Sequence, residues 1–271
     1  MEAKVQRRIQ RYGWDLAVDS YEPAWQKQLA PAHDALLAQA RFAPGERVLD
    51  VACGTGLVTF EAARRVGAGG SVAGIDISGE MVLAAEHRAR ELAPGNVQFQ
   101  RMDAELLAFA DGSFDVVVCA LGLMYMPEPE QALREMRRVL KPGGRLLLAV
   151  WGERARCGWS AVFPIVDAEV SSEVCPMFFR LGQGNALADA CAELGFEQVR
   201  LQRIAVHLGY EDAQQACVAA FVGGPVALAW SRFSDDVRAR VCDQYLEAIS
   251  GFRHGAGYQV PGEFVVLAAH Y

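Results

Sequence analysis

An α/β fold built on a doubly wound, mostly parallel seven-stranded sheet is what this sequence predicts, on three observations. Short apolar runs alternate with helical stretches from Arg47 to Trp151, the signature of βαβ units. The run SFDVVVCAL carries unbroken valines, as a parallel strand covered on both faces requires. VLDVACGTG, Val48 to Gly56, sets an acid inside a strand and two glycines just past its end, where open α/β sheets bind their ligands.

Taken in order, residues 1–44 read as a helical cover: Leu29, Ala32, Leu36, Leu37 and Ala40 recur at helical spacing, and APGE ends the pattern. The same stretch holds a dense aromatic set, Tyr12, Trp14, Tyr21 and Trp25. RVLDVAC is the first strand, LVTFEAARRV a helix stopped by GAGG, and SVAGIDI the second strand. SGEMVLAAEHRAREL is a helix with Ser78 as N-cap and APGN as its stop. VQFQRMD and SFDVVVCAL follow as strands, PEQALREMRRVL as a helix stopped by KPGG, and GRLLLAVW as the fifth strand. Beyond Trp151 the alternation lapses into an irregular stretch, 152–184, rich in Trp and Phe. A helix (NALADACAEL), a strand (EQVRLQRIAVHL), two helical patterns around 212–221 and 235–249 divided by VGGPVALAW, and a last strand (GEFVVLAAH) complete the chain.

Composition narrows the function classes. The chain has 271 residues, 52% hydrophobic and 22% charged, an ordinary balance for a globular protein with a sizeable core. Its 26 Lys+Arg against 33 Asp+Glu give a net charge of −7, which repels a nucleic-acid backbone, so no nucleic-acid partner is expected. The basic stretch RRIQR reads as a solvated helix face. The seven cysteines form no C-x-x-C or C-x-x-H pair, which argues against a metal site and a disulfide framework. With no apolar run of about 18 residues and no signal-type leader, no membrane span and a cytoplasmic location are expected.

The loop after the first strand discriminates between nucleotides. A phosphate-binding P-loop needs Lys and Ser/Thr after the glycines, but Leu57 and Val58 follow. A dinucleotide site wants a third glycine where Thr59 stands, and Asp50 would repel a pyrophosphate. S-adenosylmethionine carries a sulfonium and an ammonium and no phosphate, so it tolerates that acid. Asp76, at the end of the second strand and 20 residues beyond Gly56, can accept from both ribose hydroxyls. Asp103, at the end of the third strand, can accept from the adenine amine, with Ile77 and Ala104 on the two ring faces.

VLDVACGTG, GIDIS with Met81 following, MDAE and SFDVVVCALGLMYMPEPEQALREMRRVLKPGG together resemble the ordered motifs of class I S-adenosylmethionine-dependent methyltransferases, in the small-molecule group similar to ubiquinone/menaquinone methyltransferases. The resemblance covers Val48 to Trp151 and implies a Rossmann-like methyltransferase fold with an N-terminal helical cover (1–44), a cofactor-binding core (45–151) and an inserted lid or acceptor-binding segment plus terminal strands (152–271). It implies that Gly54 and Gly56 meet the methionine part of the cofactor, that Asp50 supports that loop, and that Asp76 binds the ribose. By the same resemblance Ile77, Met81, Asp103 and Ala104 surround the adenine, Ala120 and Leu121 lie beside the transferable methyl, and Tyr21 reaches the cofactor carboxylate with Trp25 beside it.

The acceptor pocket is expected between the loop after the fourth strand and the irregular segment, drawing on Met124, Trp159, Phe163, Phe178 and Phe221. These suit an apolar or aromatic small molecule. Tyr125 is the best-placed phenol for a catalytic base, although a pure proximity mechanism fits equally well. Two alternatives stand beside this reading: an NAD(P)-linked oxidoreductase and a non-catalytic S-adenosylmethionine-binding module. A homodimer is compatible with the sequence, which is silent on oligomeric state.

Overall fold

The structure, a computed structural model, describes residues 3–92, 94–170, 175 and 177–271. The expected lid stretch therefore falls partly, at 171–174 and 176, outside the described residues. In chain order the elements of the first half are α1 (Ala3–Ala40), β1 (Arg47–Val51), α2 (Leu57–Val66), β2 (Ser71–Asp76), α3 (Gly79–Leu92), β3 (Val97–Arg101), β4 (Phe114–Ala120), α4 (Pro129–Val139) and β5 (Leu140–Trp151). The second half adds α5 (Val162–Asp167), α6 (Ala186–Glu193), β6 (Glu197–Tyr210), α7 (Ala213–Cys217), α8 (Ala227–Arg232), α9 (Asp235–Ala248), β7 (Arg253–His254) and β8 (Gly257–His270). No helix among the described residues is long and apolar enough to cross a membrane.

The main sheet runs β3-β2-β1-β4-β5-β8-β6. All neighbours from β3 to β5 are parallel, and β8 alone is inverted, pairing antiparallel with both β5 and β6. Seven strands make the predicted sheet, and the two-residue β7 folds back on β8 as a short hairpin. The valines of β4, Val116, Val117 and Val118, have no exposed surface, as a central parallel strand covered on both faces requires. Strand order reverses between β1 and β4, which opens a crevice at their carboxyl ends.

Differences from the sequence reading have local causes. β5 begins at Leu140, because Leu140 pairs with Phe114 before a register shift carries the strand across the KPGG turn. β8 begins at Gly257 rather than at residue 262. Pro261, which reads as a strand breaker, lies beyond the β5 pairing that ends at Trp151–Phe264, so its missing N–H interrupts only one side. The 212–221 helix divides into α7 and a π-helical turn, Val218–Val222, while VGGPVALAW supplies most of α8.

α1 is one 38-residue helix with Pro23 and Pro31 inside it. Its buried side, including Trp25, Leu29, Ala32, Leu36 and Ala40, packs on the sheet. Gln28 pins the helix to β6: its Nε2 donates to the Gly209 carbonyl at 2.6 Å and its Oε1 accepts from the Gly209 N–H at 3.1 Å.

Candidate active site

The loop from β1 to α2 is held from two sides. Asp50, buried in β1, accepts a 2.6 Å hydrogen bond from the Thr59 hydroxyl in α2. Thr59 thus occupies the place of a third glycine because it ties the helix to the strand. Asp76 at the end of β2 accepts from the Gly54 N–H through one oxygen and from the Ser78 N–H through the other, both at 2.9 Å. Gly54 has a φ of 54°, and a Cβ there would point at Tyr21, 3.7 Å from its Cε1. Gly56 plays a different part from the one expected. It heads α2 with a φ of 90°, and a Cβ would strike the Phe60 ring at 2.6 Å, so its role is close packing, and it is not in the cleft wall.

Above these groups lies a cleft of about 770 Å³, open to solvent at its mouth. Gly54, Asp76, Ile77, Met81, Asp103 and Ala104 line it, with Ala120, Leu121, Tyr125 and Tyr21. Ala52 and Leu121, at the ends of β1 and β4, both hold left-handed backbone (φ 56° and 62°). Non-glycine residues pay for that conformation, and such strain gathers at functional sites. Asp50 stands outside the cleft wall and acts through the loop.

Polar cleft residues that the sequence reading did not assign to the site include Arg7, Gln10 and Glu105, and Trp14, noted only as one of an aromatic set, joins them. Arg7 corrects the reading of RRIQR as a solvated face. Its guanidinium binds the buried Glu105 carboxylate and lies 3.0 Å from Glu128 and 3.3 Å from Asp103. Asp103 also accepts from the Glu105 N–H at 2.9 Å, so its carboxylate is shared between its own turn, Arg7 and the cleft. Further along α1, Asp15 accepts from the Ser78 hydroxyl at 2.6 Å, and Glu22 pairs with Arg88 of α3 at 2.9 Å. The first half of α1 is thereby fastened across the cleft mouth.

A second cavity of about 370 Å³ adjoins the first. Trp14, Tyr21, Leu121 and Tyr125 line both, so they form a shared rim. Trp25, Trp151, Trp159, Leu29, Gly224 and Pro225 complete the second cavity. Trp25, expected beside the cofactor, is placed here instead, edge-on to Trp151 and Trp159 with ring centroids 6.1 and 6.2 Å away. Of the expected acceptor residues, Trp159 lines this cavity. Phe163 and Phe178 belong to a separate depression with Arg154 and Arg180, although Phe178 touches Trp159 edge-on at 5.6 Å. Met124 and Phe221 are core side chains, and Phe221 stacks on Trp230 at 5.0 Å. For both the expectation is corrected: an apolar run next to a site is mostly wall support.

Burial dominates the electrostatics. It pushes the Asp50 carboxyl up to about 7, against the Thr59 hydrogen bond and with help from the neighbouring Asp76 charge. It pushes Asp76 up to about 6, against the backbone N–H bonds from Ser78 and Gly54. Among the described residues no lysine or arginine offsets either charge. Burial likewise raises the phenols of Tyr21 and Tyr125, so Tyr125 stays protonated and is unsuited to the base role it was given.

Uncompensated carboxylates beneath a glycine loop fit a cationic, phosphate-free ligand. One Asp50 oxygen is buried without a hydrogen-bond partner. An ionised carboxylate offers about four lone-pair sites, and Asp76 spends one per oxygen on backbone, leaving acceptors for a pair of hydroxyls. S-adenosylmethionine, with its sulfonium, ammonium and ribose diol, matches that donor set.

Comparison with known proteins agrees. A family profile described as a methyltransferase domain matches residues 42–173. The ubiquinone/menaquinone biosynthesis C-methyltransferase UbiE of Ectopseudomonas mendocina is 50% identical over 106 residues, 39% of this chain and 41% of that protein. The matched stretch thus spans about two-fifths of such relatives' length. Nocamycin O-methyltransferase of Saccharothrix syringae is 31% identical over 241 residues, covering 82% of this chain and 84% of that protein. Among solved structures, the [4+2]-cyclase SpnF superposes with a TM-score of 0.61 at 25% identity, over 91% of this chain and 82% of that one. With an extended match of this kind added to the strand order and the acids at the strand ends, the chain belongs to the class I S-adenosylmethionine-dependent methyltransferases.

Proposed function

We propose that the chain transfers the methyl group of S-adenosylmethionine to an apolar, aromatic-bodied small molecule seated in the tryptophan-lined cavity. The observation that carries this reading is the shared rim: Trp14, Tyr21, Leu121 and Tyr125 line both cavities, so a nucleoside in one and an acceptor in the other would abut there, as in-line attack requires.

Asp76 would hold the ribose hydroxyls with its remaining lone pairs. Ile77, Met81, Ala104 and Asp103 would take the adenine, and Gly54, Ala120 and Leu121 the methionine part. When bound, S-adenosylmethionine supplies a methyl group already activated on a sulfonium. What the protein contributes is alignment, for which positioning supplies on the order of 7–11 kcal/mol. Trp25, Trp151 and Trp159 keep water from the reacting pair.

Labelled methyl transfer to a panel of phenols, quinones and amines tests the reading, alongside calorimetric titration with S-adenosylhomocysteine. Turnover of at least one aromatic acceptor is expected. Asp76→Ala is expected to weaken the nucleoside by about 100-fold, the worth of two hydrogen bonds to a charged group. Undiminished affinity in that variant, or no binding in the parent, overturns the proposal. A second reading draws on SpnF, whose named reaction is a cyclisation: the same cavity would then hold a substrate that receives no methyl. Tight nucleoside binding without turnover of any acceptor would favour it.

A further inference from the structure

The second cavity has a donor pattern that its walls do not use. Trp25 and Trp159 are 7% and 3% exposed, and both indole Nε1 atoms are buried without a hydrogen-bond partner. A buried N–H left without an acceptor is costly, so two in one small cavity call for an explanation. Both residues line the cavity. A Cβ built on Gly224 would lie 3.7 Å from the Trp25 Nε1, so this N–H sits beside a residue of the cavity wall. An indole N–H can only donate. The occupant must therefore bring acceptors, and its body must be flat and apolar to lie among four tryptophans and two tyrosines.

Among the described residues, those lining this cavity include no histidine, carboxylate or lysine to serve as a base. Its two phenols, Tyr21 and Tyr125, are held protonated by burial and can donate but not take up a proton near neutrality. An oxygen nucleophile that needed deprotonation in place would find no group to receive the proton.

We infer that the acceptor is a flat, conjugated phenol or enol that binds as its oxygen anion, held by the Trp25 and Trp159 N–H groups, and is methylated on that oxygen. This rests on the methyl-transfer reading above. In the step, an oxygen lone pair forms the new O–CH3 bond while the C–S bond breaks and its electron pair returns to sulfur. The anion and the sulfonium cancel, and the products are a neutral ether and the neutral thioether. No proton moves within the cavity, because the acceptor lost it to solvent beforehand. Buried in low dielectric, the anion is stabilised by the adjacent cation and by the two charge-assisted N–H bonds.

The test uses the full chain, 4-nitrophenol as a coloured acceptor, and either sinefungin, a cofactor analogue with a cationic amine at the methyl position, or uncharged S-adenosylhomocysteine. In the sinefungin complex the bound nitrophenol is expected as the yellow anion, ionising about one pH unit lower than in water. With S-adenosylhomocysteine it should bind about tenfold more weakly. Trp25→Phe and Trp159→Phe keep a ring and remove the donor. Each should lower kcat/KM for nitrophenol about tenfold or more while leaving the Kd for S-adenosylhomocysteine unchanged. Turnover should be several-fold faster for nitrophenol than for a 4-alkylphenol or an aniline. A bound nitrophenol that stays colourless, equal or better turnover of the aniline, or full activity in both tryptophan variants overturns the inference. Preferred methylation of anilines or of ring carbon would sink only this inference, whereas absence of nucleoside binding would sink the methyl-transfer reading itself.

Discussion

Thr59 shows how a single side chain can serve as both a negative and a positive signal. In the sequence it excludes the third glycine of a dinucleotide loop; in the structure its hydroxyl is the hydrogen-bond partner that Asp50 has. Thr59→Val keeps the shape and removes that bond. It should destabilise the protein by about 1–3 kcal/mol, lowering Tm by a few degrees in a thermal melt. Thr59→Ser should recover most of the loss, which a pure packing role for the threonine methyl would not allow. At this scale, the places of Asp50, Gly54, Asp76 and Asp103 at or just past the carboxyl ends of β1, β2 and β3 were legible, because the alternation of elements already gives those ends. Trp25 was legible as a site aromatic but assigned to the wrong neighbour, since sequence spacing cannot say which side of a shared rim a ring occupies.

Among the elements, α1 was readable as a helix and unreadable as a strap. Its closure over the cleft depends on Arg7 meeting Glu105, 98 positions away, and on Asp15 meeting Ser78, 63 positions away. No local pattern encodes pairs so distant, and a basic run at a chain's start looks like any solvated face. Removing Arg7 leaves Glu105 buried without its cation, a costly outcome for one half of an ion pair. Arg7→Ala is therefore expected to loosen the first turns of α1, with faster amide exchange there. The dissociation rate of S-adenosylhomocysteine in stopped flow should rise about tenfold, with a smaller change in the association rate. Exchange and release rates equal to those of the parent would show that the strap is held elsewhere.

For the whole molecule, the raised carboxyls of Asp50 and Asp76 couple folding, proton uptake and cofactor binding. Both titrate in the folded chain at about 7 and about 6, above an ordinary carboxylate near 4. A group whose folded pKa is raised contributes its stability in full below the unfolded value and loses it as pH rises through the folded one. From these two groups, ligand-free protein should lose stability between about pH 4 and pH 7. A cationic ligand prefers them ionised, so its binding has the opposite slope. Affinity for sinefungin should strengthen as pH rises through 6 to 7, with proton release seen as a buffer-dependent heat in calorimetry. A flat pH dependence, or proton uptake, would show that neither carboxylate senses the bound cation. The sheet that carries them was legible in its parallel half, where strands alternate with helices that end in glycine stops. Its far half was less so, because β6 and β8 are long strands with one neighbour or a proline at an edge, and their order is a matter of pairing rather than pattern.

The inverted β8 also fixes when the sheet can close during synthesis. β6 leaves the ribosome before β8, yet in the finished sheet β6 bonds only to β8, and β8 is also what covers the outer edge of β5. Until β8 is made, the nascent chain presents an unpaired, leucine-rich edge on β5 and a stray 14-residue strand with nothing to pair with. Such edges are templates for joining other chains. While α7 to α9 are being translated, both edges wait for β8.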